Sequence, residues 1–398
     1  MARERHPCRC REEPSMPPAK PAPSAETPLA TIVRAIVGIP TTSFREQGVL
    51  AAVRAFAEAR GLTYSEDAFG NGYVTYRKGR AIRGARPLVL GAHTDHPGFV
   101  VEGVRGKRLT LAFSGGVDAR YGKGEPVRIY GADGKTRGVA RITRVLASDA
   151  PTRWARRITG AVATIEEGTA SAGDLALWDV AECRIRGRIV EARQCDDLIG
   201  AVAVLATLDR LVARGVEGHV IGSFTRAEES GLLGAAAAAG ARTLPEGALV
   251  VAVECSSMAG GRAVQGAGPI IRVGDYGHIF SPDMTLWMFR LAMEMQQADP
   301  TFKFQRKLMD GGTTEATAYD FMGYETGAAC VALGNYHNMG DDSRIAAETV
   351  NLDDIDGLAE LFVRMAQDTK RHAQVRAASA KRWGEIGREA GGRLKAGG

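Results

Sequence analysis

Long apolar runs are missing from this chain of 398 residues: polar residues or glycine interrupt every aliphatic segment well before the roughly 18 to 20 residues a bilayer crossing needs. A membrane-spanning helix is therefore not expected. Cysteine is scarce. The six thiols, Cys8, Cys10, Cys183, Cys195, Cys255 and Cys330, are too scattered for a disulfide scaffold, and no CxxC pair offers structural zinc. A reducing, cytoplasmic compartment fits that usage. Excess charge is confined to one end: of the formal +5, residues 370–398 contribute +6, eight Lys or Arg less two Glu. The body is near neutral and carries no basic stripe, which argues against nucleic-acid binding. Residues 1–28 are rich in arginine and proline without an apolar core, so they read as a disordered extension and not as a secretory signal. The Cys8-Arg9-Cys10 pair on that tail reads as chance, not as a metal site.

What is present is 45% apolar residue, enough for a full core and two domains. Residues 29–61 show two helical patterns broken at Gly38-Ile39-Pro40. Short aliphatic runs at 88–90, 220–224, 249–253 and 330–333 read as strands buried on both faces. Amphipathic patterns at 200–214, 231–240, 282–297 and 352–367 alternate with them, the signature of an α/β domain with a mostly parallel sheet. Residues 98–187 differ, being β-branched and glycine-punctuated with a hairpin at 127–145 turning on Asp133-Gly134. They read as an inserted all-β domain. The expected organisation is a discontinuous catalytic domain (29–97 and 188–370), the insert (98–187) and a basic tail (371–398), whose glycines favour a frayed end over a surface helix around Trp383.

Ligands of open α/β sheets collect beyond the carboxyl ends of the strands. Here those ends carry His93-Thr94-Asp95, Cys195-Asp196-Asp197 (after 189–191), Glu228-Glu229, Glu254 and Asn335-Tyr336-His337. So many carboxylates on one rim would repel and desolvate badly unless cations neutralised them. Imidazole and carboxylate without thiolate suit two divalent ions, zinc in the first instance, with cobalt or manganese as alternatives. On this reading Asp196 bridges the ions, His93 and Glu254 complete one, and Glu229 and His337 the other. Glu228, adjacent to a ligand but facing otherwise, is the general base, and Asp95 takes the far ring N–H of His93. Singly, each residue has a plainer reading; Asp196 or Asp197, for example, suits the N-cap of the helix near Gly200. His96, which could reach substrate, and His278, which could border the cleft, read first as solvated loop histidines, and Cys195 and Cys255 as small buried fillers.

The run Gly91-Ala92-His93-Thr94-Asp95-His96-Pro97-Gly98-Phe99, with Asp196-Asp197 and Gly200, Glu228-Glu229 before Gly231-Leu232-Leu233-Gly234, then Glu254, Gly311-Gly312-Thr313 and His337, resembles the tetrahedral aminopeptidases related to glutamyl aminopeptidase and endoglucanase M. These belong to a wider clan of di-zinc exopeptidases. The resemblance runs from about Leu29 to Gln367 and implies an α/β/α catalytic domain interrupted by a β-barrel-like or PDZ-like domain. It implies the same ligand set and base, and homo-oligomers assembled through the insert. Three positions depart from the family pattern: Leu198 where arginine is usual, Glu254 where aspartate is commoner, and Gly312-Thr313-Thr314-Glu315, one residue longer than the usual motif.

The expected activity is metal-dependent hydrolysis of N-terminal residues from peptides, with Glu315 or Asp341 as candidates to hold the α-amine. An amidohydrolase or carboxypeptidase-type or dipeptidase-type enzyme of the same clan, acting on N-acyl amino acids or dipeptides, is the alternative. That enzyme wants an arginine for the substrate carboxylate, for which Arg272, Arg306 and Arg344 are candidates. A catalytically silent binding protein is the contrasting class.

Overall fold

The computed structural model describes residues 27–79, 85–148, 156–261 and 263–396. Apart from Thr27 and Pro28, the expected disordered extension lies outside them, as does the Cys8-Arg9-Cys10 pair. The chain opens with α1 (Pro28–Val37) and α2 (Gln47–Glu58), separated at Gly38-Ile39-Pro40 as the sequence indicates. Proline at the first position of α1 lacks only an N–H the helix would leave unpaired, and the Thr27 side chain accepts from Ala30 N.

Strands β1 (Thr63–Glu66), β2 (Gly72–Lys78) and β3 (Leu88–His93) begin the main sheet. The chain then leaves it for β4 (Gly98–Arg105), β5 (Arg108–Ser114), β6 (Pro126–Tyr130), β7 (Thr136–Ala147), β8 (Ile158–Gly168) and β9 (Leu175–Trp178), which close into a barrel in the order β4-β5-β8-β7-β6-β9. The barrel has its own core, in which Phe99 meets the Trp178 ring edge-on at 5.1 Å.

Next come β10 (Cys183–Arg186), β11 (Ile189–Ala192), α3 (Leu198–Arg214), β12 (Gly218–Thr225), α4 (Leu233–Gly240), β13 (Leu249–Ser257), β14 (Ile270–Arg272), α5 (Pro282–Ala298), β15 (Gln305–Lys307), α6 (Glu315–Phe321), β16 (Glu325–Leu333), β17 (Glu348–Asn351), α7 (Leu352–His372) and α8 (Val375–Ala396). The main sheet runs β1-β2-β12-β3-β13-β16-β14-β15, with β12, β3, β13 and β16 parallel at its centre. Alternation on β3 shows why three layers form. Leu88 and Leu90 pack into the cluster holding α1, α3 and α7, while Val89 packs with Ala235 of α4 and Tyr319 of α6 on the other face. The fold is thus the expected α/β/α arrangement with a small all-β barrel.

Two details differ from the sequence reading. Strand β11 belongs not to the main sheet but to a separate antiparallel sheet, β10-β11-β17, because both its neighbours pair antiparallel with it. The basic end is helical instead of frayed: Arg290 on α5 donates to Ser379 Oγ (2.6 Å), Val375 is buried, and Arg393 pairs with Glu389 one turn back. Trp383 on that helix is 69% exposed. No helix of the described residues is long and apolar enough to cross a membrane.

Candidate active site

Parallel strands deliver functional side chains to one rim because their carboxyl ends all face the same way. His93 closes β3, Glu228 and Glu229 follow β12, Glu254 lies near the end of β13, and His337 follows β16. Asp196 arrives from the loop between β11 and α3. Its two carboxylate oxygens face different imidazoles, Oδ1 at 3.6 Å from His93 Nε2 and Oδ2 at 3.6 Å from His337 Nε2. Glu229 Oε1 stands 3.2 Å from His337 Nε2, and Glu228 Oε2 3.9 Å from His93 Nε2. Two sets, His93 with Asp196 and Glu254, and Asp196 with Glu229 and His337, each bring one donor atom per residue within 4.8 Å of the others, close enough to hold a metal ion. His93 with Glu228 and Glu229, and Asp196 with Asp197 and Cys255, meet the same distance. A cavity of about 530 Å³ opens beside them, lined further by Ser256, Arg272, Tyr276, Asp310 and Thr313.

Buried carboxylates that never touch the cavity hold these groups in place. Asp95 accepts the backbone N–H of Glu228 on Oδ1 (3.0 Å) and of Glu229 on Oδ2 (3.2 Å), and the Ser43 hydroxyl at 2.6 Å. With its proton on Nδ1, His93 donates to the Asp95 carbonyl (3.1 Å), the Asp95 carboxylate lying 3.4 Å away. Glu46 accepts from Ala227 N and from Arg226 Nε. Glu348 accepts three backbone N–H groups, those of Cys195 (2.7 Å), Asp196 (3.0 Å) and His337 (2.8 Å), so it ties two distant loops together. His337 adopts φ 55°, a left-handed conformation costing a non-glycine residue roughly 1 to 2 kcal/mol, which the bond to Glu348 helps offset. The barrel reaches the site too: His337 Nδ1 donates to the carbonyl of Gly116 at 2.7 Å. Replacing Asp95 with asparagine leaves one of the two Glu228 and Glu229 N–H groups facing an NH₂. The expected result is about 10-fold to 100-fold lower kcat/KM with weakened metal affinity, read by kinetics and metal titration.

Electrostatics express the crowding. Burial depresses the His93 pKa, but Glu228, Asp196 and Asp95 outweigh it and hold that pKa well above the ordinary value. Burial likewise opposes charge on His337, where Glu229 and Asp196 prevail. Glu254 is pushed up to about 8 by burial, and Glu228 well above the carboxylate range by burial with Glu254, Glu229 and Asp95 near it. Burial raises Asp196 too, yet the imidazoles of His337 and His93 beside it carry it below its usual value. Such opposed shifts mark a crowded cluster of carboxylates and imidazoles of the kind that gathers at functional sites.

Asp197, the second acid of its pair, caps α3 by accepting from Gly200 N at 3.1 Å. His96 is not solvated as its loop position indicates: it is buried, with Nδ1 2.5 Å from the Asp196 carbonyl and Nε2 3.0 Å from Asn338 Oδ1. Neither candidate for the α-amine lines the cavity, since Glu315 is buried behind β3 near Gly91 and Asp341 is an exposed loop residue. His278 also lies outside the cavity lining, bound to Thr317 and paired with Asp320. Cys195 and Cys255 are buried free thiols. Of the three arginines, only Arg272 faces the cavity; Arg344 pairs with Glu125 of the barrel, and Arg306 lies over the Phe289 ring.

This architecture is shared with solved aminopeptidase structures. PhTET1-12s, a dodecamer in its asymmetric unit, superposes with a TM-score of 0.67 at 24% identity over 85% of this chain and 99% of that one. The TET1 peptidase of Pyrococcus horikoshii, which can assemble into a tetrahedron or a large octahedral shell, gives 0.67 at 23% identity over the same shares. Aminopeptidase APDkam598 from the archaeon Desulfurococcus kamchatkensis gives 0.69 at 19% identity, over 87% of this chain and 97% of that one. No curated protein matches the sequence. The M42 glutamyl aminopeptidase family model matches residues 70–361, and the chain belongs to that family.

Proposed function

We propose that the protein is a dinuclear metalloaminopeptidase that removes N-terminal residues from peptides. The observation that carries this is the Asp196 carboxylate, whose two oxygens each face a different histidine. Asp196 Oδ1 is buried without a hydrogen-bond partner among the described residues, as fits an atom meant for a cation. His93, Asp196 and Glu254 would hold one ion and Asp196, Glu229 and His337 the other. The grouping with Asp197 and Cys255 fits less well, because Asp197 Oδ1 is committed to the Gly200 N–H at the start of α3 and this set brings no imidazole to the ion.

Two divalent cations, zinc or in its place cobalt or manganese, would supply Lewis acidity for a water and for the scissile carbonyl. Glu228 would take the proton of that water and return it to the leaving amine. Asp95 orients His93 and fixes the backbone of both glutamates, so base and ligand keep their relative positions. The free cysteines support a reducing, cytoplasmic setting, and the oligomers of the TET relatives support a homo-oligomer, for which the barrel is the proposed interface.

Protein purified without chelator and supplied with zinc should contain close to two ions per chain by elemental mass spectrometry. Peptides with a free N-terminus should be cleaved at least about 100-fold faster than their acetylated forms, since blocking removes a charged group the site would bind. Preference for the acetylated peptide would replace the aminopeptidase by an amidohydrolase. Absence of both metal and turnover would leave a binding protein.

A further inference from the structure

Helix α8 lies beyond residue 361, where the match to the family model ends. Its first turns pack on α5: Val375 is buried, and Arg290 donates to the Val375 carbonyl at 3.4 Å and to Ser379 Oγ at 2.6 Å. Every residue from 380 to 389 is exposed. The face that meets α5 nevertheless continues past it, because Val375 and Ser379 are followed at intervals of three or four by Trp383, Ile386, Ala390 and Leu394, which the helical period sets in one stripe. Trp383 is 69%, Ile386 39% and Leu394 79% exposed. Large apolar side chains in water cost free energy, here on a helix that Gly384, Gly387 and Gly391 already weaken.

Charge narrows what can cover the stripe. The helix carries six Lys or Arg against two Glu, a net +4. Arg376 pairs with Asp283 and Arg393 with Glu389, while among the described residues Lys381, Arg382, Arg388 and Lys395 form no ion pair. Arg382 stands one turn before Ile386 and Arg393 two turns after it, at the edge of the stripe. A second α8 would cover the apolar side chains but set another +4 beside the first. A nucleic acid would neutralise the charge and leave the stripe in water. An anionic lipid surface does both, since its headgroup layer admits tryptophan and aliphatic side chains beneath a plane of phosphates.

We propose that α8 is a membrane-surface anchor that lays Trp383, Ile386 and Leu394 into the headgroup layer of an anionic bilayer, with its arginines and lysines drawn to the lipid phosphates. The helix lies along the bilayer and does not cross it, being too polar to span. The cytoplasmic setting proposed above offers such a surface, because the leaflet facing the cytoplasm carries anionic lipid. Binding of this kind is independent of the reaction in the cavity.

Full-length protein should bind vesicles of phosphatidylcholine with phosphatidylglycerol at least about 10-fold more tightly than vesicles of phosphatidylcholine alone, read by co-sedimentation, and tryptophan emission should shift to the blue. Trp383→Ser combined with Ile386→Ser should weaken that binding about 100-fold, and Arg382→Glu about 10-fold. Trp383→Phe should keep most of the binding and lose the shift, which assigns the shift to this side chain. An unchanged melting temperature in these variants shows the body of the protein intact. Equal binding to both vesicle types, binding to neither, or anionic binding that survives the double serine variant overturns the proposal. A wild type that no vesicle pellets, and whose assembly loses subunits in the double serine variant, gives the stripe to a second copy and overturns it as well.

Discussion

Replacing Glu228 with glutamine is expected to lower kcat by about 10³-fold to 10⁴-fold while leaving the metal content near two ions per chain. The substitution keeps shape and keeps the bond from the residue-228 N–H to Asp95, which is a backbone contact. It removes the one property the mechanism needs, a side chain that accepts a proton and returns it. Glutamine also resembles the uncharged state that burial favours at this position. Chelated Glu228→Gln protein should therefore melt no lower than chelated wild type, because glutamine keeps the uncharged state that burial favours there. Lost turnover with full metal and an undiminished melting temperature cannot be ascribed to misfolding. Turnover within about 10-fold of wild type would remove Glu228 as base and direct attention to another proton acceptor on the rim.

The groups legible in the sequence were those that strand ends announce. His93, the Glu228-Glu229 pair and His337 each follow a run of aliphatic residues, and Glu254 ends one, so position along the chain predicted position in space. Asp196 is legible for a reason other than a main-sheet strand end: β11 lies outside the main sheet, yet the acid pair still precedes α3, where Asp197 caps the helix and Asp196 faces the histidines. The inserted barrel was legible from composition. Its contact with the site was not, because the bond from His337 to the Gly116 carbonyl joins residues 221 positions apart through a backbone atom that any residue supplies. Glu348 escaped for a similar reason. A glutamate at the start of a short strand resembles a solvated acid until the fold brings three N–H groups onto it. The loop position of His96 suggests water, whereas in the fold Asn338 covers it. The amine anchor failed differently, since Glu315 lies near the motif in sequence but points beneath β3.

The Asp196→Asn variant should lose more than any single terminal ligand, and the comparison tests the bridge itself. An asparagine offers one oxygen and one NH₂, so a neutral donor would face either His93 or His337 where a carboxylate oxygen now stands. A bridge touches both ions, and its removal should reduce the metal content from two per chain to less than one, with kcat/KM down by at least about 10⁴-fold. His337→Ala, which on the proposed reading removes a ligand of one ion only, should retain about one. Binding of metal to the folded chain alone stabilises by RT ln(1 + [L]/Kd), about 2.7 kcal/mol per site at 100 times Kd. The zinc-induced rise in melting temperature should accordingly be large in wild type, roughly halved in His337→Ala and nearly absent in Asp196→Asn. Backbone contacts at position 196, its N–H to Glu348 and its carbonyl to His96, survive the substitution, so the loop keeps its course and the loss is one of charge. Two tightly held ions in Asp196→Asn would show that the two sites are independent, and the paired orientation of that carboxylate would then need another cause.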